Sequence, residues 1–158
     1  SIKKEFVFPE PSHGDEKFPK VTLKKVIDSL VPEDPKYYFS KRAVEGVKRA
    51  KPNMKRALSQ DLDGQCLTIS SHLAKVSLNS RDPVLLVDKN KELYRRFTPR
   101  EAAKIQSFPD NFDFAGSEGD AYRQIGNAIP PVMMWHLAKE IANQIFGLSV
   151  SMDADIEE

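Results

Sequence analysis

The stretch RRFTPREAAKIQSFPDNFDF, Arg95–Phe114, contains a strand end, a helix start and an aromatic exit loop within twenty residues. Thr98 can accept from the third helical amide, Pro99 suits the first helical position, and Glu101 can reach back to the cap, so a helix should begin there. Ala102, Ala103 and Ile105 give that helix an apolar side, and it should stop before Pro109. On its N-terminal side, PVLLVD and ELYRRF flank Lys89, Asn90 and Lys91, the pattern of a β-hairpin. On its C-terminal side, Ser117 should open a second helix through Tyr122 and Ile125. Gly126 there suits the left-handed residue that closes a helix. Pro131 should start a third, whose apolar stripe (Met134, Leu137, Ile141, Ile145, Leu148) is widened by Trp135 and Phe146.

Upstream, the segment QCLTISS is β-branched enough for a strand and leads into the polar loop SHLAKVSLNSRD. Ser40 should cap a basic helix that runs to about Lys51, before Pro52, with Ala43 and Val44 on its thin apolar side. Thr22 should cap a shorter helix, Leu23 to Leu30, ended by Pro32. The opening FVFPEPSHGDEKFP should be extended and turn-rich, and residues 149–158 form an acidic, flexible tail.

Composition limits the possible functions. Charged residues make up 30% and hydrophobic ones 40% of 158 residues, which is ordinary for a globular chain. Cys66 is the sole cysteine, so an internal disulfide is excluded and a reducing, cytosolic setting is expected. His13, His72 and His136 lack metal-ligand spacing, so no metal is expected. Residues 1–99 hold 20 Lys/Arg against 13 Asp/Glu, whereas residues 100–158 hold 4 against 10. The densest basic patch is residues 40–56, with Lys41, Arg42, Lys48, Arg49, Lys51, Lys55 and Arg56 against Glu45. Such asymmetry fits a polyanion partner for the first part; a solvated helix face is the alternative.

Arg95–Phe114 and the later segment YRQIGNAIPP, Tyr122–Pro131, together resemble the last two signature motifs of the DNA (cytosine-5) methyltransferases. CLTISSHLAK is similar to the strand and loop in which that family's target-recognition region carries a Thr-Leu or Thr-Ile pair. FVFPEP and KYYFSKRAVEGVKRAK resemble the opening of the recognition domain. The resemblance implies an α+β chain: a small mixed strand/helix target-recognition domain, then a C-terminal helix that packs on a Rossmann-like α/β catalytic domain absent from this chain. It divides the chain into 1–97 (recognition), 98–148 (C-terminal motifs and returning helix) and 149–158. The family's Pro-Cys nucleophile, Glu-Asn-Val segment and glycine-rich cofactor turn do not occur here, and Cys66 follows Gln65. No catalytic residue is therefore expected. The resemblance implies that the chain acts with a catalytic half, on the same polypeptide upstream or in a separate subunit. Together they would transfer methyl from S-adenosylmethionine to C5 of cytosine in a specific DNA sequence, as in restriction–modification.

Individual residues follow. Phosphate contacts fix register on a duplex and base-edge contacts read sequence. Arg42, Lys48, Arg49, Arg95 and Arg96 are candidates for the first task, and Ser70, Ser71, His72, Lys75, Asn79 and Arg81 for the second. The resemblance places Thr68 and Ile69 beside the DNA backbone, gives Arg100 and Glu101 structural roles, and assigns Gly126, Asn127 and Ala128 to the cofactor. The Asn127 amide offers donor and acceptor together, and Ala128 only its backbone. A non-catalytic DNA-binding module and an unrelated α+β interaction domain remain as alternatives.

Overall fold

The computed structural model describes residues 5–10, 19–28, 32–50, 59–75 and 84–149. Lys51, Lys55, Arg56, Asn79, Arg81, Leu30 and the tail beyond residue 149 lie outside the described residues. The chain divides into two compact units, Lys20–Ala128 and a second made from Ser1–Pro19 and Ile129–Glu158.

The larger unit is built on α1 (Lys41–Ala50), the hairpin β1 (Leu85–Asp88) and β2 (Leu93–Arg95), α2 (Pro99–Ile105) and α3 (Glu118–Asn127). The hairpin pairs Leu85 with Arg95 and Leu86 with Tyr94, then shifts so that Asp88 meets Leu93. At its turn, the Asp88 carboxylate accepts from the amides of Asn90 (2.9 Å) and Lys91 (3.0 Å), which fixes the reversal. A third extended segment runs beside β2, since the Phe39 amide donates to the Tyr94 carbonyl and the Arg96 amide to the Tyr37 carbonyl.

Two of the helix starts read from the sequence carry reciprocal caps. Thr98 Oγ1 accepts from the Glu101 amide at 3.2 Å while Glu101 accepts from the Thr98 amide at 2.8 Å. Ser117 Oγ accepts from the Asp120 amide at 3.2 Å, with Asp120 returning the contact at 3.0 Å. Ser40 caps α1 through the Ala43 amide. The apolar core gathers Leu23, Val44, Ile69, Leu73, Val84, Leu85, Phe97, Ala102, Ala103, Tyr122 and Ile125. Phe108, Phe112 and Phe114, from the exit loop, meet one another with ring centroids 4.9–5.1 Å apart.

Three local expectations give way. Of the helix expected over Leu23–Leu30, the described residues form a single 3-10 turn, Leu23–Lys25. Thr22 makes no side-chain cap there, and the Leu23 and Lys24 amides instead donate to Gly64 and Leu62 carbonyls. QCLTISS joins no ladder among the described residues and enters a turn at Ser71; β-branched residues favour extended dihedrals, whereas a strand also needs a neighbour. Gly126 does not end its helix in a left-handed conformation. It lies inside α3, whose C-cap is Ala128 with extended backbone angles.

In the smaller unit, α4 (Pro131–Ile141) continues as a π turn over Ala142–Phe146 and closes at Gly147, which is left-handed at φ 68°. The Gln144 side chain grips Val7 twice, accepting from its amide at 2.9 Å and donating to its carbonyl at 2.8 Å. Val132, Met133, Met134, Trp135, Ile145 and Phe146 are exposed. No described helix is long and apolar enough to cross a membrane.

Candidate functional site

The end of α3 and the segment Thr68–Lys75 meet at close quarters. A Cβ on Gly126 would lie 2.2 Å from the Ser70 carbonyl oxygen and 2.4 Å from the Ser71 nitrogen. Real Cβ atoms do not approach backbone so closely, so only glycine admits the segment here. The approach that Gly126 permits is therefore made by this chain itself. Beyond Ser71 a single 3-10 turn, Leu73–Lys75, sinks Leu73 into the core, while His72 and Lys75 are exposed. Ser70 Oγ accepts from the His72 amide at 3.2 Å, which tightens the turn.

Two glutamines fasten this corner. Gln106 Nε2 donates to the Ile125 carbonyl at 3.1 Å, capping the last turn of α3 from α2. Gln124 Nε2 donates to the Ala115 carbonyl at 2.7 Å and so holds the aromatic exit loop beside α3. Sequence reasoning quoted both residues without giving either a task. The signal was available: a helix end leaves carbonyls that an amide from a neighbouring helix can satisfy.

Asn127 is exposed at this helix end. The Ala128 amide closes the helix by donating to Gln124 and Ile125 carbonyls, which leaves its own carbonyl as the group it can offer a ligand. A helix C-terminus favours positive charge, and an exposed amide beside it suits a zwitterionic amino-acid group. The residues present fit the methionine end of S-adenosylmethionine in kind.

The arginine pair departs most from the expectation. Arg95 and Glu101 are both 0% exposed. Arg95 Nη1 and Nη2 donate to the two Glu101 carboxylate oxygens at 2.8 Å each, and Nη1 also donates to the Arg96 carbonyl at 2.9 Å. A guanidinium so enclosed cannot meet phosphate, so Arg95 is a structural residue and not a DNA contact. Arg96 is also turned inward. Its Nη1 donates to the Ala74 carbonyl at 2.8 Å, and its guanidinium lies 5.7 Å from the ring centroids of both Tyr37 and Tyr122. Ile69 is likewise a core residue, so its side chain anchors the segment and does not face a ligand. Arg100 Nη1 donates to the Phe112 carbonyl at 3.1 Å, tying α2 to the aromatic loop.

The other candidates are placed as follows. Thr68, His72 and Lys75 are exposed, Ser71 is half-buried, and Arg42, Lys48 and Arg49 are exposed on α1, where Lys48 pairs with Glu92. Tyr122 Oη donates to the Phe97 carbonyl at 2.5 Å inside the core, and burial raises its phenol well above the ordinary range. Burial also pushes the Cys66 thiol up to about 12. A thiol held neutral at physiological pH is a poor nucleophile.

The sequence profile of the C-5 cytosine-specific DNA methylases matches residues 1–143. The type II methyltransferase M.NgoPII of Neisseria gonorrhoeae is 32% identical across 86% of this chain and 45% of its own length. The type II methyltransferase M.AplI of Arthrospira platensis is 40% identical over 80 residues, which are 51% of this chain and 22% of that protein. Among solved structures, the S. pombe Dnmt2 methyltransferase superposes with a TM-score of 0.65 at 14% identity, covering 82% of this chain and 44% of that one. The chain spans less than half the length of each of these proteins.

Proposed function

The chain belongs to the C-5 cytosine-specific DNA methylases, and from that premise we propose that it supplies their DNA-recognition and C-terminal portion. In this reading it works with a catalytic half that carries the Pro-Cys and Glu-Asn-Val segments, on the same polypeptide or a separate subunit. Together they methylate C5 of a cytosine within a defined duplex sequence, as part of restriction–modification. The observation that carries the reading is the packing of Thr68–Lys75 on the Gly126–Asn127 end of α3, which joins two features of the family resemblance in one corner.

The chain's own residues divide the work. Thr68, Ser70, Ser71, His72 and Lys75, with Arg81, meet the duplex at one segment. Arg42, Lys48 and Arg49 meet phosphates from α1, which carries Lys41 and Arg42 at one end and Lys48 and Arg49 at the other. Contacts of the second kind hold register without reading sequence. A cytosine must leave the stack to be modified, so the protein must hold the duplex while the base is displaced. S-adenosylmethionine, when bound, supplies the methyl group. Asn127, with the Ala128 carbonyl, would hold its methionine end. Buried Arg95 and Glu101 act on neither ligand and hold the hairpin to α2.

The test mixes this chain with a catalytic half bearing those segments and measures transfer of labelled methyl groups to duplex DNA. Methylation at cytosine C5 by the pair, and by neither half alone, is expected. A folded pair that transfers nothing overturns the reading.

A further inference from the structure

The Gly126–Asn127 pair contains two residues with different surroundings. Gly126 has no left-handed backbone angle to explain it, so glycine is not there for the turn. Its constraint is steric: the Ser70 carbonyl carbon and oxygen and the Ser71 nitrogen occupy the space a Cβ would take, at 2.2–2.4 Å. All three atoms are backbone, so no side-chain rotation could relieve the overlap. At the other end of the same segment, Arg96 Nη1 donates to the Ala74 carbonyl. Between those points Leu73 is wholly buried. Thr68–Lys75 is thus held at three places, and the exposed His72 and Lys75 project from a fixed backbone.

We infer that Gly126 is a positioning residue for the DNA-recognition segment, so the two halves of the Gly-Asn pair serve different ligands. Asn127 faces the cofactor, while Gly126 sets where Ser71, His72 and Lys75 stand against the duplex. The inference rests on the recognition role proposed above for that segment. A methyl group at position 126 lifts the Ser70–Ser71 backbone off α3. It disturbs base reading while leaving the phosphate-binding α1 untouched.

The test uses the whole chain with Gly126→Ala, and Gly46→Ala as control, because a Cβ on exposed Gly46 meets nothing within 4 Å. Amide hydrogen exchange is followed by peptide. Gly126→Ala should exchange several-fold faster across Thr68–Lys75, with α1 unchanged; equal exchange in that segment overturns the inference. A duplex enriched by the unsubstituted chain from a pool with a randomised centre is then compared with an unselected duplex. The preference should collapse in Gly126→Ala while salt-sensitive binding to the unselected duplex persists; an intact preference overturns the inference. If the unsubstituted chain enriches no duplex, the recognition reading fails, and the exchange result still decides whether Gly126 positions the segment. If Gly126→Ala does not fold, a nuclear Overhauser contact between the Gly126 α protons and the Ser71 amide in the unsubstituted chain decides. Its presence supports the close approach, and its absence refutes it.

Discussion

Glu101→Ala should be among the most damaging single changes in the larger unit. The substitution leaves the Arg95 guanidinium fully buried and removes both of its carboxylate bonds at 2.8 Å. Removing one partner of such a pair costs roughly 3–5 kcal/mol, because the remaining charge stays enclosed. The same change removes the carboxylate that accepts from the Thr98 amide, half of the α2 capping box, for about 1 kcal/mol more. Domains of this size are stable by roughly 5–15 kcal/mol, so the loss approaches the whole margin at the lower end. With a urea slope of about 1–3 kcal/mol/M, the unfolding midpoint should fall by more than about 1 M. Circular dichroism during urea titration measures it. Arg95→Met/Glu101→Gln is the diagnostic partner: it removes the buried charge altogether, and glutamine can still complete the cap. The double variant should therefore be more stable than Glu101→Ala. A Glu101→Ala loss under about 1 kcal/mol would falsify the account of a desolvated pair; so would a double variant no better than the single one.

Tyr122→Phe strands the buried Phe97 carbonyl and should cost about 1–3 kcal/mol by denaturant titration, with no effect beyond stability. Cys66 should resist iodoacetamide at neutral pH until urea is added, as mass spectrometry can follow, since its thiol is pushed up to about 12. The unfolded thiol ionises near 9.0, so the unfolded chain releases its proton first. This contribution to stability is then full below pH 9 and declines as pH rises towards 12. Arg42→Ala/Arg49→Ala should reduce the slope of log affinity against log salt by about 2 in DNA-binding titrations, about 0.9 per phosphate contact; an unchanged slope removes α1 from the interface. In the assembled enzyme, Asn127→Ala should raise KM for S-adenosylmethionine by roughly tenfold or more, the loss of one hydrogen bond to a charged group. A KM that does not move takes Asn127 out of the cofactor site.

What the sequence revealed was mostly local. The Thr98 capping box, the helix start at Ser117 and the Ser40 cap rest on residues within one helical turn, so local sequence alone exposes them. The hairpin was equally legible from two apolar runs around Lys89–Lys91. Burial of charge was not. Arg95 and Arg96 look like a basic pair for phosphate until the hairpin brings Arg95 onto the start of α2 and Ala74 under Arg96. A count of charges cannot tell an enclosed guanidinium from a solvated one. Gly126 failed for the same reason. It reads as helix punctuation, whereas its cause is backbone from a distant part of the chain. QCLTISS shows the limit of propensity, which favours extended dihedrals but cannot supply the neighbouring strand.

The division of the chain has a further consequence. Its smaller unit is assembled from both flanks, with Val7 clasped by Gln144 across nearly the full sequence. In sequence, the larger unit, Lys20–Ala128, lies between those two flanks. The Val7–Gln144 clasp uses no residue of Lys20–Ala128, so its two hydrogen bonds join the flanks alone. Substitutions inside Lys20–Ala128 therefore leave both partners of that joint unchanged.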